Sequence, residues 1–221
     1  MGKISILTQE QKTILDLIGD DKYLSSTFYF TGGTALSEYY LHHRYSDDLD
    51  FFTQKKIDQE VIFTLIKKWS KLHNFTFRSR FVEVVYRFDL TFGDETNLKI
   101  DFGHYPHPRV EKGRNIDQLQ IDSLRDIATN KFITMSQRSS AKDFVDLYFL
   151  LQNKFTFWDL LYSAEKKFHT MRFDILLLAE DMLKVEDFTT LPRMIIPIKL
   201  DDLKKFFREQ AKKLGMSAVE P

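Results

Sequence analysis

A run of aromatic residues, Phe28-Tyr29-Phe30, breaks at Thr31-Gly32-Gly33-Thr34-Ala35-Leu36, and a second apolar run soon follows with acids set into it, Asp47-Asp48-Leu49-Asp50-Phe51-Phe52. The first run reads as a buried strand. The glycine pair permits a tight turn with close backbone approach, and Thr34 is placed to cap a helix starting at Ala35. A helix start of that kind attracts anions. In the second run, residues two apart on an extended chain face the same way, so Asp48 and Asp50 project together while Leu49 points to the opposite side. Two carboxylates ~4 Å apart repel by about 4 kcal/mol at an effective dielectric of about 20, so the pair calls for a cation. Ligands that are oxygen alone favour Mg²⁺, which keeps several waters and is usually completed by substrate phosphates. Cradle and acid pair together suggest a bound nucleoside triphosphate (NTP).

A third acid extends the pattern. Residues 81–92 alternate loosely as a strand, Gly93-Asp94-Glu95 makes a turn, and Leu98-Lys99-Ile100-Asp101-Phe102 returns as a second strand. If that strand lies beside the one carrying Asp48 and Asp50, three carboxylates converge as two-metal phosphoryl transfer requires.

The remaining periodicity predicts an α+β fold. A helix over residues 8–18 ends at Gly19, an amphipathic helix over residues 57–72 has lysines opposite its apolar stripe, and residues 75–80 form a strand. Residues 104–120, with Pro106, Pro108 and Gly113, read as a connection. Helical spacing then recurs over residues 122–135, 141–151, 157–168, 173–183 and 200–214. The expected organisation is a mixed sheet with packed helices in residues 1–118 and a helical domain in residues 119–221, with a cleft between them as the place for substrates.

Charge and composition narrow the partners. Lysine plus arginine and aspartate plus glutamate both number 32, so contact with nucleic acid must rest on a local basic patch rather than an overall positive field. Lys166-Lys167, Lys204-Lys205, Arg208 and Lys212-Lys213 are such candidates for an RNA backbone, against the reading of solvated helix faces. The absence of cysteine excludes disulfides and thiolate metal sites. No stretch approaches the ~20 apolar residues of a membrane span, and Met1-Gly2-Lys3-Ile4-Ser5 leads into a polar-punctuated helix rather than a targeting segment, so a cytoplasmic protein with no membrane partner is expected. His42-His43 and His104 with His107 make no zinc set, and the phenylalanines fall mainly in strand positions, as core residues do.

Taken in order, Gly32-Gly33-Thr34-Ala35-Leu36, Arg44-x-Ser46-x-Asp48-Leu49-Asp50-Phe51, Lys99-Ile100-Asp101-Phe102, Lys131, Arg138 and Lys142-Asp143-Phe144-Val145-Asp146-Leu147 resemble the AbiEii/AbiGii-type nucleotidyltransferases, within the DNA polymerase β-like superfamily. The resemblance spans residues 29–151. It implies that Asp48, Asp50 and Asp101 hold Mg²⁺, two ions in all, that Gly32, Gly33 and Thr34 touch the triphosphate, and that Lys131 and Asp143 are further functional positions. The wider superfamily usually has Gly-Ser at Gly33-Thr34, and Asp47 is an additional acid whose side chain faces away from the pair. The implied activity is transfer of a nucleoside monophosphate from an NTP to an acceptor hydroxyl with release of pyrophosphate, as the toxin of a type IV toxin–antitoxin system. A tRNA 3′ end is then the acceptor and a cognate antitoxin the partner. The alternatives are a small-molecule or protein acceptor, or a non-catalytic interaction module of the same fold.

Read from their own chemistry, Arg44 and Ser46 either orient the loop before the aspartates and touch phosphate oxygens, or form a loop salt bridge and an Asx-like turn. Lys131 and Arg138 offer cations to the developing pyrophosphate, and Asp143 or Asp146 can orient a lysine or accept from a ribose hydroxyl. The competing reading has Asp143 stabilising a helix N-terminus by ~0.3–1 kcal/mol.

Overall fold

The two runs that opened the sequence become neighbouring strands. In the computed structural model, which describes residues 5–219, β1 (Tyr29–Thr31) pairs antiparallel with β2 (Leu49–Thr53), setting Thr31 opposite Asp50 and Phe30 opposite Phe51. Strands β3 (Phe75–Val82), β4 (Val85–Phe92) and β5 (Asn97–His104) form an antiparallel meander, and β5 runs parallel to β2. With β6 (Arg114–Ile116) and β7 (Leu119–Ile121) the sheet has seven strands in the order β3-β4-β5-β2-β1-β7-β6, so β3 is a free edge. Mixed pairing with flanking helices is the expected α+β architecture.

The two-residue period of a strand sorts the side chains and thereby places the polar ones. Leu49, Phe51, Phe88, Leu90, Leu98, Ile100 and Phe102 are all buried. Helix α4 (Gln59–Leu72), capped by the Asp58 side chain, buries Ile62, Ile66 and Trp69 and lays Phe63 edge-on to Phe77 at 5.6 Å. The rings of Phe30, Phe51 and Phe102 stack in series at 5.1 and 5.6 Å, each contact worth roughly 0.5–1.5 kcal/mol beyond the burial itself. With the apolar set facing this core, the alternate residues of β2, β4 and β5, which carry the acids, must face the other way.

Several local expectations change. Thr34 is not the helix cap: the helix already starts at Gly32 (α3, Gly32–Leu36), with Thr31 at the cap position, because Gly32 turns the chain at φ +75. The strand expected over residues 81–92 is broken at Glu83-Val84, where Glu83 takes φ +54, and its first two residues belong to β3. No glycine, proline or asparagine marks that turn. The expected connection over residues 104–120 contains β6 and β7, and β7 adds to the sheet beside β1. Gly19 lies inside α1 (Gln9–Asp20), and the following helix α2 (Lys22–Thr27) is capped by the Asp21 side chain.

The chain falls into two units. The first comprises residues up to Tyr40 with Ser46–Pro108 and Lys112–Asp122; the second comprises Leu41–Tyr45, Arg109–Glu111 and the residues from Ser123 onward. The second unit is helical: α5 (Leu124–Gln137), α6 (Ala141–Asn153), α7 (Phe157–Lys167), α8 (Ile175–Leu183) and α9 (Leu200–Val219). Ser123, Thr156 and Asp174 each supply the side-chain oxygen that caps α5, α7 and α8 in turn. The excursion at Arg109–Glu111 is tied to α5 by Asp126, which accepts from the Val110 and Glu111 amides at 2.8 and 2.9 Å and pairs with the buried Lys167 at 2.9 Å. Burial works to raise the Asp126 pKa, but Lys167 and the two amides overcome it and hold the carboxyl below its usual range.

Candidate active site

Strand register builds the site in the first unit. Asp50 on β2 is the register neighbour of Asp101 on β5, and Asp101 is the neighbour of Arg87 on β4, so the three side chains share a face of the sheet. Asp48, two residues before Asp50, and Lys99, two before Asp101, share it too. Arg87 grips both oxygens of Asp101 at 2.7 and 2.6 Å, and Lys99 reaches Asp48 at 2.6 Å. The hydrogen bonds that Arg87 donates to Asp101 raise its already high pKa. Gly32 completes this corner. A Cβ there would stand 2.1 Å from Asp50 Oδ2, and φ is +75, so both the close approach and the backbone demand glycine. Gly33 and Thr34 are buried, and the Thr34 hydroxyl donates to the Asp48 carbonyl, fixing the loop that carries the first acid. Ser46 lies on the same loop, where its carbonyl accepts from Gln11 Nε2 at 2.9 Å.

The helical unit holds a second ionic cluster. Asp146 on α6 accepts Arg44 Nε and Nη2 at 2.6 and 2.8 Å, His43 Nε2 at 2.7 Å and Lys131 Nζ at 2.7 Å. Lys131 also reaches Asp143 at 2.6 Å, and Asp143 takes Arg138 at 2.9 Å. Burial works to raise the pKa of both carboxyls, but Lys131 with Arg44 drives Asp146 well below its usual range, and Lys131 with Arg138 lowers Asp143. Desolvation of Lys131 is outweighed by Asp146 and Asp143, so its pKa is raised and it stays charged. Burial of His43 outweighs the pull of Asp146 and lowers its pKa, which leaves a neutral ring at neutral pH that donates from Nε2 to Asp146. Three cations therefore face two carboxylates. The surplus positive charge lies at the accessible end, where Arg138 is 66% exposed.

The family model described as nucleotidyl transferase AbiEii toxin, type IV TA system, matches residues 17–218. The chain belongs to that family. Protein aq_aa25 of Aquifex aeolicus (strain VF5) is 30% identical over 213 residues, covering 93% of this chain and 96% of its own. Two solved structures share the fold. JHP933 from Helicobacter pylori superposes with a TM-score of 0.56 at 21% identity, over 96% of this chain and 94% of that one. MenT4, the nucleotidyltransferase toxin Rv2826c from Mycobacterium tuberculosis H37Rv, superposes with a TM-score of 0.55 at 14% identity, over 92% of this chain and 82% of that one.

An AbiEii-type nucleotidyltransferase uses an NTP and typically a divalent metal, and the residues can be tested for that metal. Asp48 and Asp50 suit a hard cation in chemistry, since both offer only oxygen and share one face, with one Asp48 oxygen already taken by Lys99. Asp101 is on the correct face but its oxygens are both taken by Arg87. Among the described residues no three acidic, histidine or cysteine side chains are gathered so as to hold a metal ion. Among them, too, no helix is long and apolar enough to cross a membrane.

Arg44 departs most from expectation. It is 1% exposed and bidentate on Asp146, so the guanidinium expected at a phosphate serves the interior of the helical unit. The salt-bridge alternative describes it, over a range no local pattern could show. Arg87 escaped sequence reasoning although a signal existed: reflection of Asp101 through Asp94, the middle of the predicted turn, lands on Arg87. His43 as a ligand of Asp146 carried no such signal, because its partner lies on a different and distant helix.

Proposed function

We propose that this AbiEii family member transfers a nucleoside monophosphate from an NTP to the 3′-terminal hydroxyl of tRNA, releasing pyrophosphate and acting in the cytoplasm as a toxin countered by a cognate antitoxin. The observation that carries the reading is the corner made by Gly32 and Asp50, with Asp48 and Asp101 on the same sheet face. Only glycine, at φ +75 and without a Cβ, lets the Asp50 carboxylate lie this close to the turn backbone.

Residues 1–118 supply the reacting centre in this reading and residues 119–221 supply supporting charge. Asp48 and Asp50 hold Mg²⁺, with Asp101 the third acid for a second ion. The metal, when bound, neutralises the triphosphate oxygens and makes the acceptor hydroxyl easier to deprotonate. Gly32 and Gly33 bring backbone close to the triphosphate, and Thr34 acts indirectly by holding the Asp48 loop. Ser46 supports the same loop. Arg87, whose side chain is 27% exposed, releases the buried Asp101 in favour of a phosphate oxygen, and the second ion replaces it on the carboxylate. Lys131 and Arg138, both held by Asp143, favour a phosphate anion in the helical unit.

The test is transfer from each of the four α-³²P-labelled NTPs in the presence of Mg²⁺, offered separately to tRNA, to protein and to an aminoglycoside. The expected result is label on the tRNA 3′ end with the wild type and none with Asp50→Asn. Label that goes only to protein or drug, or label that persists in Asp50→Asn, would overturn the assignment.

A further inference from the structure

The sheet face that carries Asp48, Asp50 and Asp101 does not stop at them. Register carries one row outward from Asp50 to Asp101, then Arg87, then Arg80 on the free edge strand β3. The neighbouring row pairs Lys99 with Asp89 and Asp89 with Arg78, again ending on β3. The face is therefore graded: acids at β2, one acid and one base each on β5 and β4, and two arginines on β3. Arg78 is exposed, and the Arg80 side chain is 53% exposed.

Two features of this arrangement point to an anion. Arg80 and Arg87 are direct register partners on antiparallel strands, where like charges oppose each other and destabilise the pair. Asp89 reaches Arg80 at 2.6 Å and Asp101 takes Arg87, but Arg78, Arg80 and Arg87 still outnumber Asp89 over these two strands. In addition, the chain carries no net charge, so a polyanion can be attracted only where cations are sorted to one place. The sorting occurs on the face of the acids. Three inter-strand steps separate Asp50 from Arg80, about 14 Å. A strand whose terminal hydroxyl lies at the acids would thus lay its preceding phosphates across the arginines, and guanidinium is well matched to phosphate.

We propose that Arg78 and Arg80, at the free edge of the sheet, bind the phosphate backbone of a single-stranded RNA acceptor end and set its register against Asp48 and Asp50. This rests on the RNA-acceptor reading above. It assigns acceptor binding to the edge strand rather than to the lysines of α9.

The probe is a fluorescein-labelled single-stranded RNA 12-mer with a free 3′ hydroxyl, bound to the full chain and followed by anisotropy between 50 and 300 mM KCl. The Arg78→Ala/Arg80→Ala variant is expected to weaken binding about tenfold and to flatten the slope of log Kd against log salt by about 1.4, the share of two phosphates on a single strand. The wild-type Kd for the NTP is expected to persist, and Arg78→Lys/Arg80→Lys to recover the slope but only part of the affinity. Lys212→Ala/Lys213→Ala removes the same charge elsewhere. An equal loss there, or an unchanged slope in the arginine variant while wild-type protein still labels RNA, overturns the edge-strand site alone. Absence of any RNA labelling by the wild type overturns the RNA-acceptor reading with it.

Discussion

Asp101 and Asp146 each accept an arginine with both oxygens, yet the two pairs sit in different surroundings. Arg87 keeps 27% of its side chain exposed over the buried Asp101, whereas Arg44 and Asp146 are both sealed inside the helical unit. The sealed carboxylate has further cationic and imidazole partners, because an unpaired charge there would cost several kcal/mol. The Asp101 pair meets solvent only through its arginine, so it is the arginine that can exchange its partner for a ligand. The same pairing reaches solvent in one unit and is closed off from it in the other.

The sharpest way to break this contrast is to truncate both acids. Asp146→Ala should cost about 3–5 kcal/mol and lower the thermal midpoint on the order of 10 °C, since Arg44 and Lys131 are left buried without it. Asp101→Ala should cost roughly 1–2 kcal/mol while removing transfer. Equal losses in a melting experiment would show that exposure does not separate the pairs.

Gly32→Ala probes the open face with the next largest effect. Its Cβ must displace Asp50, so transfer should fall at least about a hundredfold, with a stability cost of only about 1–2 kcal/mol from the left-handed backbone. Wild-type turnover in this variant would detach the corner from the chemistry.

Acid titration sharpens the sealed side. The lowered pKa of Asp146 and Asp143 stabilises the fold above the unfolded carboxylate value of about 3.9, and that contribution is lost as pH falls through their folded values. The lowered pKa of His43 acts earlier: the unfolded ring takes a proton near pH ~6.5 and the folded one resists, so stability should drop from about pH 6.5 downward by up to about 1.4 kcal/mol per unit. Chemical denaturation between pH 5 and 7 should show this decline in the wild type. The same slope in His43→Asn would point to another group.

The smallest effect belongs to Lys99→Met, which should change stability by less than about 1 kcal/mol because its pair with Asp48 is part-exposed. A larger loss by urea titration would make that pair structural.

Part of the candidate site's geometry was legible before any coordinates. Asp48 and Asp50 share a face because a strand has a period of two, and Lys131, Asp143 and Arg138 sit within one or two helical turns of each other across the α5–α6 connection. The amphipathic pattern of α4 and the helices after residue 122 were read correctly in type, with ends displaced by a few residues. The misses share a cause. Glu83-Val84 turns without a turn-forming residue, and β6 and β7 are three residues each, too short to show a period. Arg44 looked like a loop residue because its partner lies 102 positions away.

By itself the sequence determined which residues are acids on a common strand face, where glycine permits the chain to turn, and which helices have an apolar side, since each depends on a local backbone repeat. Only the tertiary structure decided that Asp101 lies beside Asp50, that Arg87 holds it, and that Arg44 is buried on Asp146. Those outcomes depend on strand order and on the exclusion of water, which arise from contacts between segments far apart in the chain.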